Sequence, residues 1–409
     1  MISTLSAAAL LLSSCAASGQ GSVAAPLAGP TVTGAVVSAP LVAAPLEASF
    51  VRHEVVVEAA APAADVLAVR AGHLHMADGS IVEDGVLLVR DGLVTAAGAD
   101  VAVPDGARVV EHDGHVSAGL VAAYSAGYLP RDEANENTRA YLPDGRVVHG
   151  FDPELSALED ALEQGVTSLL LAPGTSQVVG GRTAVVKTSG GRVVTPNAHL
   201  ALSMGAPAAS TARTPTSYAG IVSGLDARFA DAEGAYAEAK SGNLGLLTYV
   251  SARHEVDRAL RLFERHELKG ALVGPTLAGE LAERIRASGC SVVLPNPPLV
   301  LDERTHDAMA ALFEAQVPFA FWLSDPHEFR ASAIVALRAG ATRAQALASI
   351  TSTAADIARV GTSVGKLLRG HDADFVLWSG DPLEFTTSVE AVYVRGELVH
   401  TAGHHGDDQ

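Results

Sequence analysis

Two histidines separated by one residue are the first side chains whose type and spacing suggest chemistry. His73 and His75 lie in an apolar segment with the pattern of a strand. Strand residues two apart project from the same face, so both imidazoles would face one side, in a geometry that can hold a metal ion. The alternative is a pair of surface histidines, and the elements around them must decide between the two.

Other reactive side chains are scattered along the chain. Cys290 precedes an apolar segment with no histidine partner indicated, and the chain has no GxSxG nucleophile elbow. Asp325 follows an apolar run and precedes Pro326, a pattern typical of a carboxylate that caps a helix. A His-rich tail could supply metal ligands, although a disordered terminus explains it more simply; its residues are His400, His404, His405, Asp407 and Asp408.

The middle of the chain alternates between helical and strand-like patterns from residue 152 to 359. We predict helices at 153–164, 254–266, 277–288, 306–315, 328–339 and 343–349, and strands at 167–171, 184–187, 244–250, 270–273, 291–294 and 317–323. Such alternation indicates a parallel sheet with crossover helices. Both chain ends have short alternating runs instead, with Asp-Gly turns predicted at 78–79, 83–85, 90–92 and 104–106 in the first and Arg395-Gly396 in the second. This predicts a small β-sandwich built from 63–115 and 365–402.

The segment 116–128, VSAGLVAAYSAGY, resembles the first barrel strand of the amidohydrolase superfamily, in the branch near imidazolonepropionase. The run VGKLLRGHDADFVLWSGDP at 364–382 is similar to another pattern of that family and is the most specific match in the chain. The resemblance implies an α/β fold: a (β/α)8 TIM-like barrel at 116–364 with the β-sandwich built from both chain ends. It implies descent from metal-dependent hydrolases of non-peptide C–N bonds, such as cyclic amides.

The same resemblance shows where the metal ligands of this family would fall. In the family pattern PGLIDxHxH, the proline and aspartate positions hold Ala118 and Ala122, and the two histidine positions hold Tyr124 and Ala126. Later histidine positions fall on Tyr249 and Ser251, and on Gly274, which precedes Pro275. Asp325, after Ser324, matches the aspartate that binds metal and takes a proton from the attacking water. We therefore assign Asp325 as the single retained catalytic residue, with a helix cap as the equal alternative.

Two further residues are interpreted through the resemblance. The segment 171–191 is similar to a loop and strand of one secreted branch, in which Lys187 could be a carboxylated lysine that bridges two metals; a structural lysine is the interpretation we favour. The first strand of the sandwich contains His73 and His75, far from the barrel mouth, so we predict that both are surface histidines. His254 sits at a predicted helix start, which is typical of an exposed histidine near a cap.

Two functions compete. A catalytic zinc site needs about three protein ligands, and the bound cation lowers the pKa of water to ~7. With the ligand positions changed, we predict no metal cofactor and a non-catalytic binding or partner subunit, paired with an intact amidohydrolase homologue or with itself; the Tyr124 hydroxyl would bind a polar ligand or plug the pocket. The alternative is an active enzyme that recruits zinc or another divalent metal through Asp325, His306, His327 and the tail.

Composition and the N-terminal sequence bear on the partners and the location of the protein. The chain has 409 residues, a net charge of −18 and two cysteines, which argues against nucleic-acid binding and against a disulfide scaffold. The apolar run at 5–12 followed by Leu12-Ser13-Ser14-Cys15 resembles a bacterial lipobox. We therefore expect a signal at 1–15, lipidation of Cys15, a membrane anchor in the bacterial cell envelope, an Ala/Pro-rich linker at 16–62 and a short tail at 403–409.

Overall fold

The computed structural model describes residues 66–125, 127–130, 136 and 138–403. Several sequence predictions lie outside these residues. They are the signal with Cys15, the linker at 16–62, the ligand position Ala126 and the tail residues His404, His405, Asp407 and Asp408. No helix of the described residues has both the length and the apolar character that a membrane crossing requires.

The described residues alternate between strands and helices through most of the chain. The strands are β1 (Val66–His75), β2 (Ile81–Arg90), β3 (Leu93–Gly98), β4 (Arg108–Ala118), β5 (Leu120–Ser125), β6 (Val166–Leu171), β7 (Val179–Arg182), β8 (Ala184–Lys187), β9 (Val193–Thr195), β10 (His199–Ser203), β11 (Gly245–Tyr249), β12 (Ala271–Val273), β13 (Ser291–Leu294), β14 (Phe319–Phe321), β15 (Phe375–Trp378), β16 (Val389–Val394) and β17 (Glu397–Thr401). The α-helices are α1 (Ser156–Glu163), α2 (Tyr218–Ala230), α3 (Gly234–Lys240), α4 (Arg253–His266), α5 (Ala282–Ser288), α6 (Glu303–Glu314), α7 (Pro326–Arg338), α8 (Arg343–Ala348) and α9 (Ser352–Ile357). Short 3-10 helices lie at Val147–Gly150, Ala206–Ala208 and Ala278–Leu281.

One sheet combines strands from the two ends of the described chain, in the order β17-β16-β15-β4-β1-β2-β3. In it β4 runs parallel to β1 and antiparallel to β15. The β2–β3 connection is Asp91-Gly92, and both residues have positive φ, as a tight hairpin turn requires. The turn predicted at 83–85 is wrong, because β2 continues through it and pairs with β1 from His75 to Val66.

The remaining strands form two sheets, ordered β5-β6-β8-β9 and β14-β13-β12-β11-β10-β7. From β10 to β14 all neighbours are parallel, and helices connect them, because parallel strands need long crossover connections. The sheets meet at an isolated parallel bridge between Ser125 and Leu323. The carboxyl ends of β5, β11, β12 and β14 are thereby brought to one side.

The predicted barrel is confirmed as a mixed α/β arrangement, but a closed ladder of eight parallel strands does not form within the described residues. The departure is at β7 and β8, which run antiparallel to β10 and β6 respectively. These antiparallel pairings arise because the β6–β7 connection, residues 172–178, is too short to contain a crossover helix. The chain therefore turns back beside β6 instead of crossing over.

Candidate functional site

The residues at the predicted ligand positions of β5 and β11 lie together. Tyr124 is near the end of β5 and Tyr249 ends β11, and both line one small cavity with Leu247 and Val273. Tyr249 pairs with Val273, which is the last residue of β12, and Gly274 directly follows that strand. The strand order thus places Tyr124, Tyr249 and Gly274 at the mouth of the parallel sheet, where chemistry is found in barrels of this type. We call this region the mouth.

The mouth is filled by aromatic side chains. Tyr124 is only 8% exposed, and its ring lies 5.8 Å from that of Trp322, centre to centre. The cavity that remains between the strand ends is about 10 Å3. A cavity of roughly 10–15 Å3 accommodates a single water molecule. Among the residues that the structure describes, the space left between these strand ends is therefore too small for a metal ion, its water and an organic substrate together.

The phenols at the mouth are also electrically neutral. Burial, with a smaller contribution from Tyr249, raises the pKa of Tyr124 to about 12. Burial and the nearby Glu255 carboxylate raise the pKa of Tyr249 as well. Divalent zinc is held by thiolates, imidazoles and carboxylates, none of which these positions supply. The side chains at the mouth do not fit a catalytic metal.

Ser251 lies beside a buried carboxylate that the sequence did not single out. The Ser251 amide donates to Glu255 Oε2 at 2.7 Å, and the Ala252 amide donates to the same oxygen at 3.1 Å. Glu255 Oε1 accepts from the Tyr218 hydroxyl at 2.6 Å and from the Ala206 amide at 3.1 Å. Burial alone would raise the pKa of Glu255, but these hydrogen bonds outweigh it and the pKa lies below its usual value. Glu255 thus ties the β10 loop and α2 to the start of α4.

Asp325 caps α7, as the helix-cap interpretation of this residue predicts. It is exposed, and its Oδ1 accepts from the His327 amide at 2.9 Å, which caps the first turn of α7. The neighbouring Ser324 hydroxyl donates to Asn296 Oδ1 at 2.7 Å, which fixes the loops after β13 and β14. The carboxylate of Asp325 therefore has a structural task at the rim of the mouth.

The donors proposed for the alternative enzyme are dispersed. His306 is exposed on α6 beside Asp307. His254, which was predicted to be a histidine near a helix cap and not a metal donor, packs edge-on against Tyr218 at the start of α4. His327 is exposed on α7, and His400 lies on β17 in the other sheet. Across the part of the chain that the structure describes, no three His, Cys, Asp or Glu side chains are grouped so that they could hold a metal ion.

Cys290 lies in surroundings that disfavour its thiolate form. It is buried, it is not in a disulfide, and burial raises the pKa of its thiol. A thiol with a raised pKa is a poor nucleophile near neutral pH, because the thiolate is the reactive form.

Lys187 lies at the amino end of β6, away from the mouth. It pairs with Ser168 in the β6–β8 ladder, whereas Ala184 pairs with Leu171 at the carboxyl end. Its ammonium group is fully buried and forms ion pairs with Asp374 and with Asp372, the latter at 3.1 Å. This placement agrees with the structural interpretation of Lys187. We call Lys187, Asp372, Asp374 and the attached Arg395 the ion-pair junction.

The prediction of surface histidines is wrong for His75. It is only 6% exposed because β4 lies alongside β1 and brings His115 against it, with His75 Nε2 and His115 Nδ1 2.9 Å apart. His73 stacks on the same ring at 4.3 Å between centres. Burial, followed by the His115 charge, lowers the pKa of His75 to about 4. The parallel β1–β4 pairing was not visible in the sequence, so His115 was not linked to the HxH pair.

No protein-family model matches the chain, and no curated protein matches it. Among solved structures, an amidohydrolase from Thermotoga maritima MSB8 is 23% identical, with a TM-score of 0.73 over 82% of this chain and all of the other. A zinc-bound adenosine deaminase from Xanthomonas campestris is 16% identical, with a TM-score of 0.53 over 81% of this chain and 92% of its own. The A. niger ochratoxinase is 15% identical, with a TM-score of 0.56 over 83% and 96%. These likenesses show that the chain has the fold of the amidohydrolase superfamily.

Proposed function

We propose that this chain is a non-catalytic protein of the amidohydrolase fold that serves as a binding or partner subunit at the bacterial cell envelope. The observation that carries the proposal is the filled mouth. Tyr124 and Tyr249 line the cavity that remains between the strand ends, which is about 10 Å3, and Trp322 packs against Tyr124. A hydrolase of cyclic amides needs that space for its substrate and for an activated water molecule.

We also propose that the strands around the mouth form a barrel of irregular construction. The isolated Ser125–Leu323 bridge joins β5 to the segment after β14. On the other side, Thr183 connects β7 to β8 and exchanges backbone hydrogen bonds with the chain at β10: its amide donates to the His199 carbonyl at 2.9 Å, and its carbonyl accepts from the Ala198 amide at 2.9 Å. We infer that these contacts close a barrel-like ring in which β7 and β8 together act as one antiparallel member.

The chemical argument concerns the donors at the mouth. Activation of water requires a cation or a base placed beside the substrate. Tyr124 and Tyr249 are neutral phenols, and Asp325 is engaged as the cap of α7. We therefore propose that no zinc or other divalent cofactor is bound there. The partner would be an intact amidohydrolase homologue or a second copy of this chain, and a lipidated Cys15 would provide the membrane anchor.

The metal content of the full chain tests the proposal. We would purify the Cys15→Ser protein, incubate it with zinc, remove the excess and measure bound metal and the hydrolysis of a cyclic amide such as hydantoin. We expect metal well below one equivalent and no hydrolysis above the buffer rate. Asp325→Ala and Asp302→Ala form a matched pair, because Asp302 caps α6 in the same way, with its Oδ1 accepting from the Thr305 amide.

The matched pair separates the two functions. Removal of a helix cap typically lowers the free energy of unfolding by about 1 kcal/mol, so both variants should lose a similar amount in urea denaturation. Stoichiometric metal that is lost in Asp325→Ala and retained in Asp302→Ala would instead support the active enzyme. For the anchor, we expect the native chain in the membrane fraction and the Cys15→Ser chain in the soluble fraction; equal distribution of the two would contradict lipidation.

A further inference from the structure

A second cavity lies at the amino end of β1, in the sheet formed by both chain ends. Its volume is about 670 Å3, within the range of roughly 300–1,000 Å3 typical of ligand pockets. The β2–β3 turn, the β8–β9 turn and the β16–β17 turn surround it. Its basic lining residues are Arg90, Arg108, Lys187, Arg192 and Arg395. We call it the arginine cleft.

The sheet register places Arg90 and Arg108 at the amino end of β1 and on opposite faces of the sheet, so they line the cleft around the strand ends rather than from one face. Within the seven-stranded sheet, Arg90 of β2 pairs with Val66 and Arg108 of β4 pairs with Leu67. The two arginines therefore flank the first residues of β1 from opposite sides. Arg192 reaches the cleft from the turn before β9, a part of the chain that belongs to a different sheet.

The charges of the cleft are only partly compensated. Lys187 and Arg395 are engaged with Asp372 and Asp374 at the ion-pair junction. Arg192 is nearly half exposed, and its only carboxylate contact is a long one of 3.9 Å to Asp372. The acids that line the cleft are Asp91 and Glu397, and both are exposed.

Arg90 and Arg108 have no ion-pair partner anywhere in the described chain. The Arg90 Nε is in addition buried without a hydrogen-bond acceptor. A buried donor without an acceptor costs free energy, which an incoming acceptor would recover. The cleft thus presents unpaired positive charge on a chain whose net charge is −18.

We propose that the arginine cleft binds a phosphate-bearing anion through Arg90, Arg108 and Arg192. The planar guanidinium group presents several N–H donors in a fixed fork, which matches the oxygens of a phosphate. Val66, Val89 and Val394 provide apolar walls beside the arginines, which suits an anion attached to an organic body. Both a free phosphate ester and a phospholipid headgroup present this chemistry. The cleft is distinct from the mouth, so anion binding in the cleft does not depend on whether the protein hydrolyses a substrate at the mouth.

Binding of soluble probes to the full-length Cys15→Ser chain is the first arm of the test. Inorganic phosphate and glycerol 3-phosphate would be titrated by isothermal calorimetry at low and high salt. We expect saturable binding that weakens with salt and weakens at least about tenfold in the Arg90→Gln/Arg108→Gln variant, since each charged hydrogen bond contributes about 1.5–3 kcal/mol. Neither arginine is in an ion pair, so thermal unfolding should show that the variant remains folded.

Co-sedimentation with vesicles is the second arm. The same proteins would be mixed with phosphatidylcholine vesicles, with and without phosphatidylglycerol. Binding of soluble probes identifies a free phosphate ester as the ligand, whereas anionic-vesicle binding that depends on Arg90 and Arg108 identifies a headgroup. Arg304→Gln is the control, because Arg304 is exposed on α6 and outside the cleft. The proposal is overturned if no probe binds in either arm, or if Arg304→Gln weakens binding as much as the double variant.

Discussion

The mouth and the ion-pair junction are both buried at strand ends, but they are built from opposite kinds of side chain. At the mouth, neutral phenols and an indole fill the volume, and the buried carboxylate beside Tyr249, Glu255, is held by four hydrogen bonds. At the junction, an ammonium group and two carboxylates are buried together, with Lys187 fully covered and Asp374 at 2%. Buried charge persists where partners are in direct contact, as at the junction and at Glu255, whereas Tyr124 and Tyr249 at the mouth are uncharged. The comparison suggests that the junction holds the fold together while the mouth has become ordinary core.

Removal of the junction lysine should have the largest effect. Lys187→Met leaves Asp374 buried without its cation, while Asp372 keeps its ion pair with Arg395. Loss of one partner of a buried ion pair typically costs about 3–5 kcal/mol. Urea denaturation would measure the free energy of unfolding. Lys240→Met, at an exposed lysine, should change it by less than about 0.5 kcal/mol.

A double variant sharpens this result. Asp374→Asn keeps the acceptor for the Arg395 amide, which lies 3.0 Å from Asp374 Oδ1, but removes the charge. The Lys187→Met/Asp374→Asn protein should therefore be more stable than the sum of the two single losses predicts. Strict additivity would mean that the two charges do not stabilise each other.

Opening of the mouth should have the next largest effect. Tyr124→Ala removes a buried ring that contacts Trp322, and truncation of a large aromatic in a core costs about 3 kcal/mol or more. Tyr124→Phe keeps the ring and should cost much less. Both values would come from urea denaturation at neutral pH. If Tyr124→Ala were as stable as the native chain, the mouth would be a loosely packed pocket and not core.

Acid should destabilise the protein through a buried neutral histidine. His199 is fully buried at the start of β10, next to Thr183, with Nε2 2.9 Å from the Ile357 carbonyl. Burial, then Arg359, lowers the pKa of His199 to about 3. The unfolded chain takes up a proton below about pH 6.5 and the folded chain does not, so the stability that His199 contributes is present above pH 6.5. It is lost by roughly 1.4 kcal/mol per pH unit as the pH falls towards 3.

The pH dependence can be isolated with two variants. The difference in the free energy of unfolding between pH 7 and pH 5 should shrink in His199→Asn and stay unchanged in His306→Gln, which alters an exposed histidine. An unchanged pH dependence in His199→Asn would assign the acid sensitivity to other groups, such as His75.

Much of the architecture could be predicted from periodicity, because amphipathic helices and turn residues are local signals. The strands at 184–187 and 291–294 were predicted with their correct bounds, and α4 begins one residue before its predicted start. By contrast β10, with the residues HLALS, was missed. All five of its residues are buried, so no alternation marks it as a strand.

The site was less accessible to sequence reasoning. The positions of Tyr124 and Tyr249 follow from the spacing of the resembled motif, and the structure brings both to one cavity. Glu255 was not predicted, because its four donors come from Ala206, Tyr218, Ser251 and Ala252, and the first two are remote in sequence. An acidic residue in the first turn of a helix was the only local signal.

The seven-stranded sheet has a consequence for biosynthesis. β4 pairs with β1 on one side and with β15 on the other. The edge that faces β15 therefore stays unpaired until the ribosome has made nearly the whole chain. The nascent N-terminal strands therefore cannot settle into their final sheet during translation. Completion of this sheet is thus a late folding event that must await synthesis of the carboxyl-terminal strands.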